Sequence, residues 1–191
     1  RYPPLSIRRQ RQMCIRDSVK TARAEILAGN EALIDEFFDF EYTMNGFIAS
    51  YPKPYITLAS GVIMGGGMGV SAHGSHLVVT EDAFASMPEM NIGYITDVGM
   101  SWTLQHLPGY SSTQLGKFLG LTGYRMTPDD MLALGLASHK VATVDGVLDQ
   151  LVDQGLSSLD DASLQPDHSQ LANWFDQIDA TSVSYTHLTL P

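Results

Sequence analysis

The chain has 191 residues, of which 44% are hydrophobic and 17% charged, and its formal net charge is −10 at pH 7. This length supports one domain with a sizeable core. The acidic balance leaves no basic stripe for phosphates, and no apolar run approaches the roughly 20 residues that a membrane span needs. We therefore expect a globular domain that partners neither nucleic acid nor membrane.

The two ends of the chain resemble translated transposon-end adapters from a sequencing library. Residues 12–18 and 183–188 look unrelated as peptides, yet one short DNA element can encode the first and, on its opposite strand, the second. We expect residues 1–18 and 183–191 to be non-native; the alternative is a natural basic N-terminal arm. Cys14, the only cysteine, lies in the leading segment, so we expect no disulfides and favour a cytoplasmic bacterial protein.

A helix is predicted over residues 31–50 from an apolar stripe of helical period. The stripe consists of Leu33, Phe37, Met44 and Ile48. Glu41 falls on the same face, where burial of a carboxylate is costly unless the group is partnered or used. Two interpretations stay open: an acid at the rim of the stripe or satisfied by a helix end, or a group lining a site.

A glycine-rich stretch follows the first predicted strand. The prolines of residues 51–54 end the helix, the apolar run 55–59 predicts a buried strand, and Gly61–Gly69 leads into a short helix over 68–73. Glycines between a strand and a helix indicate that backbone N–H groups approach another group closely. Residues 67–72 match G-x-G-x-x-G/A, but a dinucleotide fold needs a full helix here. A structural turn and an oxyanion loop are the other interpretations.

The remaining elements are predicted from short apolar runs and capping signals. Strands are expected at 77–80 and at 84–87, the second leading directly to Glu89. Helices are expected at 99–106, 112–121, 128–136, 145–154 and 171–178, and an extended segment at 137–141. Thr127 as N-cap, Pro128 at the first helical position and Asp130 two residues later form a well-defined helix start.

Two carboxylates follow the glycine loop, Glu89 and Asp97, with glycines between and after them. A loop of this kind can bring both acids to one cavity, and a donor loop followed by two acids is the pattern expected of acyl chemistry. Alternatively, Glu89 caps a turn and Asp97 caps the next helix. His73 and His76 lack a third ligand at a sensible spacing, so we expect no metal site.

Several motifs in order resemble the crotonase (enoyl-CoA hydratase/isomerase) superfamily over about residues 31–142. They are residues 51–56, 61–69, 85–89, 92–93, 97–99, 107–109, 119–123 and 135–139. Within the superfamily the chain is most similar to the 3-hydroxyisobutyryl-CoA hydrolases. Gly69 stands where enoyl-CoA hydratases carry a catalytic glutamate, and Asp97 stands where they usually have glycine.

The resemblance implies an α/β fold with a β/α spiral core in residues 19–142, incomplete at its N-terminal side, and a helical region in 143–182. In the superfamily, C-terminal helices often mediate trimer contacts, so a homo-oligomer is expected. The family's first half would precede residue 19. The implied reaction, hydrolysis of a short branched 3-hydroxyacyl-CoA in valine breakdown, needs no cofactor because coenzyme A is part of the substrate.

The resemblance also implies roles for four residues. The N–H of Gly66 would bind the thioester oxyanion, and Glu89 would act as nucleophile or as base for water. Asp97 would assist positioning and proton transfer, and Glu41 would contact the substrate. The alternatives are an enoyl-CoA hydratase or isomerase that uses Glu89 alone, and a non-catalytic acyl-CoA-binding subunit. Ile95-Thr96 and Met100 depart from the hydrolase pattern around the pocket.

Overall fold

The computed structural model describes residues 15–166 and 169–185. The α-helices are α1 Ile15–Leu27, α2 Glu31–Ala49, α3 Gly66–Ser71, α4 Met100–Thr103, α5 Thr113–Thr122, α6 Pro128–Ala133, α7 Val147–Gln154, α8 Ser157–Ala162 and α9 Phe175–Tyr185. The strands are β1 Ile56–Ala59, β2 Val62–Met64, β3 His76–Thr80, β4 Phe84–Ser86 and β5 His139–Val141, and 3-10 turns cover Glu89–Ile92 and Ala172–Trp174. The α/β prediction is confirmed, with α1, β2 and α8 as additions to the predicted helices and strands.

The predicted non-native ends lie largely outside the described residues. Residues 1–14 and 186–191 fall outside them, residues 15–18 belong to α1, and residues 183–185 belong to α9. Within the described part of the chain, no helix combines the length and the apolar character of a membrane span.

Two parallel sheets organise the fold. One has the order β1-β3-β5 and the other pairs β2 with β4. Consecutive strands alternate between the two sheets. The connection between two paired parallel strands therefore includes a strand of the other sheet. The glycine loop after β2 and the acid after β4 therefore follow neighbouring, parallel strands, whose carboxyl ends point the same way.

The larger sheet is buried on both faces, as parallel sheets usually are. On β3, Leu77 and Val79 join the main core cluster, whereas Val78 packs on the opposite face with Val141 and Leu159. This alternation follows from the two-residue period of a strand. The main cluster extends through the helices that follow the site, so these helices brace the loops that precede them.

Helix α2 confirms the predicted helix but buries a different face. Leu33 and Met44, expected on the buried stripe, are 55% and 41% exposed. The residues that turn inward are Ile34, Phe37, Phe38, Glu41, Asn45 and Ile48. Two of these are polar, so a stripe drawn through apolar residues alone is displaced from the face that is actually buried.

The side chain of Asp130 attaches the C-terminal segment to the core. Asp130, fully buried, closes a capping box with Thr127, the predicted N-cap. It also accepts hydrogen bonds from the Tyr124 hydroxyl at 3.3 Å, from the Ser169 hydroxyl at 2.7 Å and from the Leu171 N–H at 3.1 Å. A buried carboxylate with this many donors keeps α6 and the segment leading to α9 in one arrangement.

Two loops touch through facing glycines. Gly109 donates its N–H to the carbonyl of Leu134 at 2.9 Å, and a Cβ at position 109 would lie 2.3 Å from the carbonyl oxygen of Ala133. Gly135, at φ +69°, would place a Cβ 2.7 Å from the nitrogen of Gly109. Both positions therefore require glycine, because any side chain would separate the two backbones.

Candidate active site

The glycine loop turns directly from β2 into α3. Gly65 takes φ 47° and ψ −119° as N-cap, and the helix begins at Gly66. At the first turn of a helix the backbone N–H groups lack an acceptor four residues back, so those of Gly66 and Gly67 point away from the helix end. Only Gly65 and the six residues of α3 separate β2 from the turn before β3. This length rules out the dinucleotide-binding interpretation.

Glu41 reaches this loop from α2. A Cβ at position 66 would lie 2.8 Å from Glu41 Oε1, so the carboxyl group lies against the backbone of Gly66. Burial raises the pKa of Glu41, and the charge of Asp97 raises it further. The Glu41 carboxyl group thus lies at the first turn of α3, where two interpretations stay open: an acid satisfied by a helix end and a group lining a site.

Glu89 follows β4 through Pro88 and opens a 3-10 turn. It is only 5% exposed, and among the residues that the structure describes its Oε2 has no hydrogen-bond partner. Burial, and to a smaller extent the nearby charge of Asp97, raise the pKa of Glu89 to about 7. A hydrogen bond from its own backbone N–H acts in the opposite direction and lowers this pKa. A carboxyl group with this pKa can exchange a proton near neutral pH.

Asp97 is half-buried and is held by Tyr42, whose hydroxyl donates to Asp97 Oδ2 at 3.3 Å. Burial raises the pKa of Asp97, while the bond from Tyr42 lowers it. Burial, together with hydrogen bonds and the charge of Asp97, also raises the pKa of Tyr42. The capping interpretation of Asp97 is wrong, because Gly99 is the N-cap of α4 and no side chain caps this helix.

The turn after Asp97 has an unusual backbone. Val98 is 1% exposed and takes φ 45°, and Gly99 follows at φ 78°. A β-branched residue in this left-handed region costs about 1–3 kcal/mol, which the surroundings must offset. The Val98 carbonyl oxygen lies 2.6 Å from His73 Nε2.

Gly69 lies where Val98 and Asn45 meet α3. A Cβ at position 69 would lie 2.8 Å from Val98 Cβ and 2.9 Å from both polar atoms of the Asn45 amide. Asn45 is 6% exposed, and within the described residues neither atom of its amide has a hydrogen-bond partner. The space that a larger residue at position 69 would take is thus occupied by Asn45 and Val98.

The four predicted site residues, Glu41, Gly66, Glu89 and Asp97, lie in one region of the structure. Glu41 contacts Gly66, and the charge of Asp97 acts on both Glu41 and Glu89. Tyr42 and Asn45 were not predicted from the sequence; the one available signal was that Asn45 follows Glu41 by one helical turn. Across the described residues, no group of three His, Cys, Asp or Glu could hold a metal ion.

The fold and these residues define a class of α/β protein in which a glycine loop lies beside buried carboxyl groups. A family model described as enoyl-CoA hydratase/isomerase matches residues 8–188, and the chain belongs to this family.

Curated relatives carry a more specific name. 3-hydroxyisobutyryl-CoA hydrolase 1 of Arabidopsis thaliana is 40% identical over 131 residues, covering 69% of this chain and 34% of the relative. The protein named mitochondrial 3-hydroxyisobutyryl-CoA hydrolase of Danio rerio is 36% identical over 169 residues, covering 87% and 43%. The chain therefore spans less than half the length of these relatives.

Solved structures share the fold. A carnitinyl-CoA dehydratase from Mycobacterium thermoresistibile has a TM-score of 0.74 at 34% identity, over 85% of this chain and 47% of that one. An enoyl-CoA hydratase from Rhodobacter sphaeroides has a TM-score of 0.64 at 35% identity, over 82% and 45%.

Proposed function

We propose that the protein containing this chain hydrolyses a short branched 3-hydroxyacyl-CoA thioester of the 3-hydroxyisobutyryl-CoA type. The observation that carries the proposal is the buried Glu89 carboxyl group, with one oxygen unpartnered in the described residues and Asp97 close enough to raise its pKa. The names of the curated relatives support the same reaction.

In the proposed reaction, the N–H of Gly66 stabilises the oxyanion that forms when the thioester carbonyl is attacked. Ionised Glu89 either removes a proton from the attacking water or attacks the carbonyl itself to give an acyl-enzyme. Collapse of the oxyanion breaks the carbon–sulfur bond, and the CoA thiolate leaves with a proton. Asp97 assists this proton transfer, and in the acyl-enzyme route water then cleaves the new bond and restores Glu89.

The second candidate is hydration or isomerisation of an enoyl-CoA with Glu89 as the acid–base group. It is favoured by the structural similarity of the chain to the enoyl-CoA hydratase from Rhodobacter sphaeroides. Against it stands the packing at Gly69, where Val98 and Asn45 leave no room for a second glutamate. Acyl-CoA binding without turnover is the remaining alternative.

The test uses the longest protein that the parent gene encodes. Thiol release from 3-hydroxyisobutyryl-CoA is measured for wild type, Glu89→Ala and Asp97→Ala, with the exposed Glu81→Ala as control. Release that is lost in both site variants and kept in the control supports the proposal. Water addition to crotonyl-CoA without thiol release would favour the hydratase, and binding without either reaction would favour the non-catalytic subunit.

Valine breakdown as the pathway, a trimer-based assembly and a bacterial cytoplasmic location are part of the same proposal. The pathway is supported by the names of the relatives, although the Danio rerio relative is mitochondrial by name. Mass measurement of the purified protein tests the assembly, and cell fractionation of the source organism tests the location.

A further inference from the structure

The turn that carries Asp97 is held in a backbone conformation that its own sequence disfavours. Val98 is buried at φ 45°, although valine rarely occupies the left-handed region. Such a conformation persists only where surrounding contacts enforce it. The contacts of Val98 and Gly99 therefore decide where the preceding carboxyl group points.

His73, which follows α3, supplies the polar contact. Its Nε2 lies 2.6 Å from the carbonyl oxygen of Val98. Because a carbonyl oxygen only accepts, Nε2 must carry the proton and donate it, which fixes the tautomer of the ring. The ring also packs over Gly99, since a Cβ there would lie 3.0 Å from His73 Cε1 and 3.1 Å from Nε2.

We propose that His73 is a positioning residue that holds the turn 97–99 and thereby aims Asp97 into the site. Gly69 completes the arrangement, because the absence of a side chain there lets Val98 pack against α3. Since α3 also begins with Gly66, one short element holds the oxyanion donor and the turn of the second acid. The inference rests on the proposed function in that it assumes that Asp97 acts in thioester hydrolysis.

The bond between His73 and Val98 also gives a structural role to one of the two histidines for which the sequence predicted no metal site. The other candidate, His76, stacks on His139 with ring centroids 6.1 Å apart and contacts the Ser75 hydroxyl through Nδ1. The two histidines thus have separate partners, and His73 is engaged by the backbone of the turn.

The functional test compares three variants at His73 in the longest protein that the parent gene encodes. His73→Ala removes the donor, His73→Asn keeps an amide that is one bond too short, and His73→Gln places an amide donor near the Nε2 position. His106→Ala is the matched control, because exposed His106 also contacts a backbone carbonyl, that of Trp102, at 2.7 Å.

We expect kcat to fall roughly 10²-fold in His73→Ala and His73→Asn, because a catalytic group misplaced by about 1 Å costs this much. KM should stay nearly constant, since the substrate contacts remain. His73→Gln should recover most of the loss, and the control should match wild type. Equal kcat in wild type and in a folded His73→Asn or His73→Ala variant would overturn the proposal.

Two further measurements test the positioning role independently of the reaction. A long-range 1H–15N spectrum should show the Nε2–H tautomer of His73, and a crystal structure of His73→Asn should show Val98 and Asp97 displaced. The Nδ1–H tautomer, or an unchanged Asp97, would refute the inference. A wild-type protein that releases no thiol would refute the hydrolase proposal. The spectrum and the crystal structure would then still test whether His73 positions the turn 97–99.

Discussion

Gly66 and Gly67 are adjacent residues of one helix, and alanine at each has a different consequence for the site. A Cβ at position 66 would lie 2.8 Å from Glu41 Oε1, which is closer than nonbonded contact allows, whereas a Cβ at position 67 meets nothing within 4 Å. Neither glycine has a positive φ, so the backbone accepts alanine at both. The conflicting atom is the end of a flexible side chain, so we expect the Glu41 carboxyl group to move while the helix stays intact.

The magnitudes separate the two variants. Alanine favours a helix over glycine by about 0.8–1.0 kcal/mol, so neither Gly66→Ala nor Gly67→Ala should lower the free energy of unfolding. In Gly66→Ala the new methyl group displaces the Glu41 carboxyl group from its place against the glycine loop. We expect kcat/KM to fall roughly 10²-fold in this variant and to stay near wild type in Gly67→Ala.

The assay is thiol release from 3-hydroxyisobutyryl-CoA by each variant, with urea unfolding measured in parallel. Equal activity in the two variants would refute the contact between Glu41 and Gly66 as a determinant of the site. A Gly66→Ala variant that lost stability as well as activity would show that the helix, rather than the carboxyl group, had moved.

Four further predictions concern three acidic side chains. Because the pKa of Glu89 is raised to about 7 and its ionised form reacts, kcat/KM should rise with pH through about 7 in a stopped-flow pH profile. The folded state keeps this proton to higher pH than the unfolded state, so the free energy of unfolding should fall as pH rises from about 4.5 to about 7. Glu89→Gln should reduce this slope, leaving the part that Glu41 and Asp97 contribute through their own raised pKa values, and a slope equal to that of wild type would contradict the prediction. Asp97→Asn removes a neighbouring charge, so the acidic limb of its residual activity should move to lower pH; an unmoved limb would place the two acids out of electrostatic reach. Asp130→Ala leaves buried donors unpaired and should lower the free energy of unfolding by about 3–5 kcal/mol, measured in urea. The control Asp145→Ala, at an exposed position, should change it by less than about 0.5 kcal/mol. Similar values for both variants would contradict the role of Asp130 in attaching the C-terminal segment.

Elements with a clear period or cap could be predicted from the sequence. Thr127 is the N-cap of α6 as expected, and the apolar run 55–59 contains β1. β2 was missed because three residues between glycines carry too short a pattern to distinguish a strand from a loop. The division of the strands into two sheets was also beyond the sequence, since it depends on contacts between distant segments.

The candidate site was predictable as far as chemistry demands particular residue types. Glu89 and Asp97 stand out as acids among glycines, and the structure places them within electrostatic reach. The left-handed conformation of Val98 was not predictable, because valine disfavours it and its contacts, those with His73 and Gly69 among them, come from a distant part of the sequence. Asn45 escaped notice because a buried amide interrupts the apolar pattern by which a helix face is found.

The contact between Gly109 and Gly135 shows that two questions are distinct: whether a chain belongs to the family, and which reaction it catalyses. Both belong to motifs by which the chain resembles its superfamily, yet their role is to let two backbones touch. A homologue could keep this contact and lose both Glu89 and Asp97, and it would still score as a relative while having no acid to activate water. Membership of the family can therefore be inferred from glycines at backbone contacts, whereas the reaction must be inferred from the acidic residues of the site.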